Sequence, residues 1–468
     1  MRETAITFRR RISVALADDN LRRSLATVRD KFTSHRAAAV RQYEAAGGDF
    51  ERLRERGRQI RDETVRRMPA LLREFERNAE AAGAKVLWAK NAASARRLIA
   101  GIARRHGVRI AVKSKSMASE EIQLNDALQN AGVEAVETDL GEFIVQLGGE
   151  TPSHIIAPAM HKRREEAAAI VRKVAQPDGD DIPAITRAAR AYLREKFLRA
   201  EMGISGANFL VADTGSALIV TNEGNGRMTT TLPRVHITLA GVDKIIARRE
   251  DIPDMLALLT RSATGQRLSN YVSISTGVRE GGDGPAHSYV VLLDNGRSRL
   301  RQSDCAEMLR CIRCGACMNH CPVYHAIGGH AYGATYMGPM GQVLTPALHE
   351  AQRDSDLPHA ATMCGACAVV CPVKIPLPDL MRRLRKRQMR EKIRPLKERA
   401  LLRLWFFVAR RPALYAAAAA TMCAILARVG GAQKRIRKLP LAGGWFAGRD
   451  LTAPPGRTFR AVRARFGL

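Results

Sequence analysis

Two stretches of this chain, CIRCGACMNHCP at 311–322 and MCGACAVVCP at 363–372, constrain it more than anything else it contains. All nine cysteines lie after residue 304; seven fall in these stretches, and the others are Cys305 and Cys423. A disulfide framework would scatter its cysteines. Clustered Cys-x2-Cys spacing in a 468-residue chain points instead to reduced thiols that hold metal, and so to a reducing compartment.

The first stretch reads Cys311-x2-Cys314-x2-Cys317-x3-Cys321-Pro322, the spacing of bacterial two-cluster ferredoxins. Three closely spaced thiolates wrap one corner of a cubane, and the cysteine before proline is aimed at the other cluster. By that rule Cys311, Cys314, Cys317 and Cys371 take one 4Fe-4S cluster, while Cys321, Cys364 and Cys367 take a second. Zinc also uses Cys-x2-Cys pairs, but seven cysteines with two Cys-Pro endings fit tetrahedral zinc sites poorly. The second cluster is one thiol short, and aligned on Cys-Pro the empty position is Ala361. Three completions stay open: a 3Fe-4S cluster, a 4Fe-4S cluster with a non-cysteine or exogenous ligand, or recruitment of Cys305. Free buried cysteine is common, so Cys305 and Cys423 read most simply as core residues. An open iron corner would also offer a Lewis acid to a hydroxy-acid substrate.

A chain of this length exceeds one ordinary core, and its texture changes along the way. Residues 1–80 read as a helical region, with apolar positions every three or four residues among Arg and Glu. Residues 81–300 alternate short apolar runs (VLWA, RIAVK, VEAVETD, HIIAPA, FLVADTGSALIVTN, VHITLAGVDKIIA, YVSIS, SYVVLL) with helical patterns. That alternation predicts an α/β domain with a mainly parallel sheet. The cysteine module spans 301–385 as a helical ferredoxin-like domain, and 386–468 is a basic helical region with a Pro/Gly-containing tail.

The formal charge of +30 is concentrated at the C-terminus: residues 381–468 carry 23 Lys/Arg against 3 Asp/Glu. An acidic partner or an anionic membrane surface accounts for this. Nucleic acid is not expected, because aromatic residues are 5% of the chain and no DNA- or RNA-binding signature occurs. The N-terminus has no signal-peptide core, and the longest apolar run, 413–427, falls short of the roughly 20 residues of a spanning helix. Because it is apolar all round and not one-sided, it reads as a buried or partner-facing helix of a cytoplasmic protein in preference to a helix lying on a membrane surface.

Neither a dinucleotide fingerprint nor a P-loop is present, so NAD-dependent chemistry of the common type is not expected. Electrons must enter from a site that the sequence does not show or from a partner subunit. Asp139 and Glu142 end one predicted strand, and Asn222 and Glu223 follow another in TNEGNG. Strand ends are where ligands bind in such folds, although Asp139 also suits a helix cap and TNEGNG a tight turn. Lys113, Lys115 and His161 offer cations for a small carboxylate, against a default of exposure. His330, Tyr332 and Tyr336 lie between the cysteine stretches, where they would pack around the clusters.

The run CIRCGACMNHCPVYHAIGGHAYGATYMGPMGQVLTP, followed by LPHAATMCGACAVVCPVKIPLPDL, resembles the lactate utilization protein B family. KSKSMASEEIQLNDAL, VETDLGEFIVQL, PSHIIAPAMHKRREE and GANFLVADTGSALIVTNEGNGRM are similar to that family's lactate-utilization domain, and GWFAGRDLTAPP to its C-terminal region. The resemblance implies an iron-sulfur subunit that carries electrons during oxidation of L-lactate to pyruvate, with two 4Fe-4S clusters. It further implies two partner subunits, one cysteine-rich and one smaller that shares the lactate-utilization domain. The cysteine module also resembles the helical ferredoxin domains of succinate and anaerobic glycerol-phosphate dehydrogenase subunits. That leaves a relay for another hydroxy-acid or quinone-linked dehydrogenase as the alternative, and a nucleic-acid-binding iron-sulfur protein as the remoter one.

Overall fold

The N-terminal charged stretch folds as α1 (Phe8–Ala17), α2 (Asp19–Ala45) and α3 (Phe50–Ala81) in the computed structural model, which describes residues 7–179, 181–278, 281, 283–349, 354–440, 446 and 449–465. Thr7, Asp18 and Asp49 cap these helices, their side chains accepting the N–H groups of Arg10, Leu21 and Arg52, donors that a helix start leaves without partners. α3 turns Leu53, Ile60, Met68, Leu71 and Phe75 inward at helical spacing.

Ten strands follow among the described residues up to 387: β1 (Ala84–Ala89), β2 (Ile110–Lys113), β3 (Glu134–Glu137), β4 (Met202–Ser205), β5 (Phe209–Val211), β6 (Ser216–Thr221), β7 (Val235–Gly241), β8 (Ile245–Ile246), β9 (Tyr271–Ser275) and β10 (His287–Leu293). Six form a wholly parallel sheet in the order β1-β10-β7-β4-β2-β3. Its inner strands β2, β7 and β10 are buried on both faces along most of their length, which is why they read as continuous apolar runs. The other four make a smaller mixed sheet, β8-β5-β6-β9, in which FLVADTGSALIVTN is an antiparallel hairpin. Helices α4 (Ala92–Arg105), α5 (Met117–Glu121), α6 (Leu124–Asn130) and α7 (Leu140–Leu147) connect the first strands.

The register places the carboxyl ends of β2 and β3 side by side, Lys113 opposite Glu137. At the end of β10, Asn295 and Gly296 both take positive φ, 41° and 93°, and turn the chain sharply into the next helix.

HIIAPA (154–159) is not a strand. The His154 Nδ1 accepts the backbone N–H of Ile156 at 3.0 Å and of Ala157 at 3.1 Å, so a side chain takes the donors that a neighbouring strand would have used. The apolar side chains of this loop pack on the cysteine module instead, where Ile155 lies in the same core as Tyr324 and Met340.

The chain divides into two compact units, Met1–Arg387 and Gln388–Leu468. In the first, one core runs from Leu25 and Phe75 through Phe209 and Leu258 to Met308, Met340 and Leu380. The N-terminal helices therefore share their interior with the sheet domain and the cysteine module. The second unit is built on helices Leu396–Ala409 and Pro412–Gly430, followed by a two-stranded pair, Arg435–Ile436 with Leu451–Thr452. The apolar run at 413–427 is exposed, not buried: its helix extends over 19 residues, and only 6% of its most apolar window is buried. Of GWFAGRDLTAPP, residues 444, 445, 447 and 448 lie outside the described residues.

Candidate metal centre and sheet-edge site

Folding brings Cys371 against the first cysteine stretch. Cys311, Cys314, Cys317 and Cys371 line one cavity, together with Ile155, Met340, Val373 and Leu377. All four are buried. Burial, followed by the charge of neighbouring thiols, pushes the Cys314 thiol up to about 12 and Cys317 well above the ordinary range, while burial pushes Cys371 up to about 11. Such thiols become ligands only where a metal supplies the positive charge that holds them ionised.

Among the described residues, no three cysteines approach closely enough to share a single metal ion. Zinc would draw its thiolates to about 2.3 Å from one centre. The wider spacing around a common cavity suits a group with several irons. The residues therefore fit an iron-sulfur cluster.

The remaining three thiols form a second group. The charge of Cys364 bears on Cys321, and the charges of Cys321 and Cys364 on Cys367. The Cys-Pro endings serve both groups alike: Cys321 caps the helix Pro322–Ile327, its Sγ accepting the Tyr324 N–H at 3.5 Å, and the Cys371 Sγ accepts the Ile375 N–H at 3.3 Å.

The backbone of the second stretch repeats that of the first. Arg313 and Met363 both take positive φ, 61° and 60°, and so do the glycines that follow the next cysteines, Gly315 at 77° and Gly365 at 85°. Ala361 thus stands where Cys311 stands, in the same wrap without the thiol. Its surroundings differ, because Cys364 is exposed and Ala361 half-buried. Cys305 is wholly buried, with Asp304, Arg383 and Arg387 as its charged neighbours and none of the seven thiols among them. Cys423 lies in the second unit, on the helix Pro412–Gly430.

Positive charge surrounds the first cavity. Arg54 from α3 donates to the Cys371 carbonyl, Arg36 from α2 to the Val370 carbonyl, and the buried Arg61 to the carbonyls of Ile245, Leu309 and Arg310. Arg313, inside the first stretch, donates to the Cys311 carbonyl at 3.1 Å and to Asp243 Oδ2 at 2.9 Å.

Asp243, just past β7, also pairs with Arg297, which grips Glu121 through two nitrogens at 2.8 and 2.6 Å. Tyr336 donates to the same Glu121, and its ring lies 5.1 Å beneath the Arg313 guanidinium. Burial works against the charge on Asp243, yet Arg297 and Arg313 hold its carboxyl well below the usual range. This network joins the sheet domain to the cysteine module. Sequence reasoning gave Tyr336 only a packing role and missed the four charged residues; the one visible sign was Asp243-Lys244 interrupting an apolar run.

A second constellation gathers at the carboxyl edge of the parallel sheet. Lys113, predicted as exposed by default, is wholly buried, bonded to Glu137 and Asn125, and 4.0 Å from Glu120. Glu142 is 3% exposed, and neither of its carboxyl oxygens has a hydrogen-bond partner; Glu137 Oε2, Asn225 Oδ1 and Thr229 Oγ1 are also unpartnered. Burial, then the neighbouring Glu137, pushes Glu142 well above the usual carboxylate range. Glu223 is pushed up to about 6 by burial and by Asp139.

Asp139 itself is a helix cap, accepting from the N–H groups of Gly141 and Glu142. Asn222 lies at the rim, its carbonyl accepting from Asn270. Of the four sequence candidates, Glu142 is the one whose carboxyl oxygens have no partner, while a Glu223 oxygen accepts the Leu140 N–H at 3.4 Å. Lys115 connects the two sites: its ammonium donates to the Ile156 carbonyl, in the loop whose Ile155 lines the cysteine cavity.

His161 stays outside both. It bonds Glu150 at 2.7 Å and Ser153 at 2.7 Å, and His330, which donates to the Thr151 carbonyl, is near enough for the three to hold an ion. Lys162 already occupies the Glu150 carboxylate, so the group is a finished ion-pair network. Tyr332 is buried in the module core, and Gln342 donates weakly to its hydroxyl at 3.5 Å.

Comparison with known proteins is consistent with this division. A family model described as LUD domain matches residues 72–293, and one described as 4Fe-4S dicluster domain matches 307–375. Lactate utilization protein B 1 of Bacillus mycoides (strain KBAB4) is 38% identical over 97% of this chain and 94% of its own length. Lactate utilization protein B of Bacillus cereus (strain B4264) is 37% identical over 97% and 96%. An uncharacterized electron transport protein of Escherichia coli K12, YkgF, is 39% identical over 97% and 95%. Among solved structures, a DUF162 family protein from Deinococcus radiodurans matches at 13% identity and a TM-score of 0.28, over 48% of this chain and 98% of that one.

Proposed function

This chain belongs to the lactate utilization protein B family, and from that premise we propose that it is the iron-sulfur electron-transfer subunit of a system oxidising L-lactate to pyruvate. The observation that carries the proposal is the single cavity that Cys371 forms with Cys311, Cys314 and Cys317 across 53 residues of intervening sequence. These four residues would hold one 4Fe-4S cluster; Cys321, Cys364 and Cys367 would hold a second, with its fourth position beside Ala361 open to solvent. Bound there, such clusters supply one-electron chemistry.

The chain's own contribution is electrostatic. The guanidinium groups of Arg36, Arg54, Arg61 and Arg313 place positive charge beside the first thiol set, and the N–H groups of Tyr324 and Ile375 donate to Sγ atoms. Charge and N–H···S bonds of this kind favour the reduced state. Burial of the first set keeps water from its thiolates.

A second reading within the same system concerns substrate. The unpartnered carboxyl of Glu142, with Glu223, Asn225 and the Lys115 ammonium nearby, supports binding of a small hydroxy acid at the sheet edge, its carboxylate toward Lys115 and its hydroxyl toward a carboxyl oxygen. The partners are a cysteine-rich subunit and a smaller one sharing the lactate-utilization domain, in the cytoplasm, with a quinone or respiratory carrier downstream. Anaerobic purification with both partners, iron and sulfide counting, and EPR before and after L-lactate test the assignment. Eight irons per chain and a signal that changes on adding L-lactate are expected if both clusters are cubanes, seven if the second is 3Fe-4S. Clusters that lactate leaves unreduced would remove the substrate assignment while leaving the electron-transfer module standing.

A further inference from the structure

The C-terminal unit, Gln388–Leu468, presents a surface that a protein dissolved on all sides would not keep. Leu401, Leu404, Trp405, Phe406 and Phe407 on the helix Leu396–Ala409 are each more than half exposed, and Met422 and Val429 on the helix Pro412–Gly430 are too. The first helix buries no residue and the second only Gly430. Exposed apolar surface on this scale marks a binding region. Its polar frame is one-signed: the unit carries 18 Lys/Arg against 3 Asp/Glu, with Arg410 and Arg411 at the bend between the helices and Lys434, Arg435, Arg437 and Lys438 beyond the second.

We propose that this helical hairpin is a membrane anchor that lies in one leaflet of an anionic bilayer, its Trp405, Phe406, Phe407 and Tyr415 rings at the headgroup–acyl boundary and its arginines on lipid phosphates. Charge selects the occupant: a flanking cationic belt around aromatic and aliphatic side chains matches an anionic lipid surface at both levels. Guanidinium groups at both ends of the apolar stretch reach the headgroups by extending their aliphatic stems along the hydrocarbon.

The helix Pro412–Gly430 is apolar enough to cross a membrane by length and composition, at about 1.5 Å per residue over 19 residues. Its surroundings favour lying flat. The chain after it folds back on the helix end, where Gly430, Ile436 and Ala453 form a small buried cap. Crossing would also carry nine Lys/Arg of residues 431–468, against one Asp, to the far side. This anchoring stands independently of the relay reading, and it would place an electron-transfer protein where lipid-soluble acceptors are found.

The test uses the full-length, cluster-loaded chain in vesicle flotation. Wild type is expected to float with vesicles of 30 mol% phosphatidylglycerol in phosphatidylethanolamine, to remain largely unbound with phosphatidylcholine alone, and to bind several-fold more weakly at 0.5 M salt. The double variant Phe406→Glu/Phe407→Glu is expected to lose at least ~10-fold in partitioning with cluster absorbance unchanged. Trp405 fluorescence, isolated in a Trp88→Phe/Trp445→Phe background, should shift to the blue on vesicle binding. Wild type that stays at the bottom of the gradient with both compositions overturns the proposal. So does a hairpin that only dimerises, with Phe406→Glu/Phe407→Glu converting a dimer to a monomer and vesicles having no effect. Protein that alkaline carbonate fails to release from the vesicles would overturn the flat orientation.

Discussion

Replacing Asp243 with Asn tests whether the buried ionic network is what fastens the sheet domain to the cysteine module. The Asp243 side chain is 1% exposed, and its two partners, Arg297 and Arg313, are 2% and 6% exposed. Removing one charge from such a pair costs about 3–5 kcal/mol, because its partner is left buried and uncompensated. Asn keeps one acceptor, and Arg297 keeps Glu121, so the lower end of about 3 kcal/mol is the expectation. At roughly 2.1 cal/mol/K per residue, the first unit, Met1–Arg387, has an unfolding entropy of about 0.8 kcal/mol/K, and 3 kcal/mol becomes a fall in Tm of about 4 °C. Anaerobic thermal melts followed by far-UV circular dichroism and by cluster absorbance provide the measurement. The exposed pair Arg187–Asp178, at 60% and 67% exposure, is the control, and Arg187→Ala should move Tm by less than about 1 °C. Because the Asp243 pKa is depressed, its contribution is complete above the unfolded value near 3.9 and lost only as the pH falls below it. An Asp243→Asn protein melting within 1 °C of wild type, or no lower than the control, refutes the reasoning.

Other substitutions probe the two sites and the sheet. Ala361→Cys should supply the missing thiol on a backbone already shaped for it, giving a second cluster that loses iron more slowly in air, as timed by absorbance decay; an unchanged rate would mean the position is not at the cluster. Glu142→Gln should raise Tm at pH 8 by about 1–2 kcal/mol equivalent, since the raised pKa of Glu142 means that the folded state binds more protons and stability falls as the pH rises above about 4.5; calorimetry at pH 5 and pH 8 checks the sign. His236, buried in β7 against Ser205, has its pKa pushed down to about 4 by burial. The unfolded chain thus takes up a proton that the folded one refuses, and stability should drop between pH 6.5 and 5.5 by about 1 kcal/mol more in wild type than in His236→Gln, measured by urea unfolding.

The parts of this molecule that sequence disclosed are those whose physics is local. The thiol spacing, the apolar runs of a doubly covered parallel sheet, and the Asn295-Gly296 turn each depend on neighbours a few residues away. The parts that stayed hidden depend on remote partners. Lys113 looks like a surface lysine until the register sets it beside Glu137, 24 residues on. HIIAPA has a strand's composition, and only the His154 ring taking its backbone donors makes it a loop. Arg313 is next to a cysteine, Cys314, but nothing in the spacing announces Asp243, 70 residues before it. Asp139 was legible as a cap and as a ligand residue at once, and packing decided for the cap.

The grip of α3 on the Cys371 carbonyl spans 317 residues of chain. A ribosome adding about 5–20 residues per second finishes Arg54 some 16–60 s before Cys371. Throughout that interval the apolar stripe of α3 has neither the later parts of its core nor the carbonyls its arginines will hold. The wall that completes the first thiol set is among the last pieces of the first unit to be made. The first thiol set therefore has no fourth member until residue 371 is made, and a nascent chain stalled before it would display Cys311, Cys314 and Cys317 with no means of closing over them.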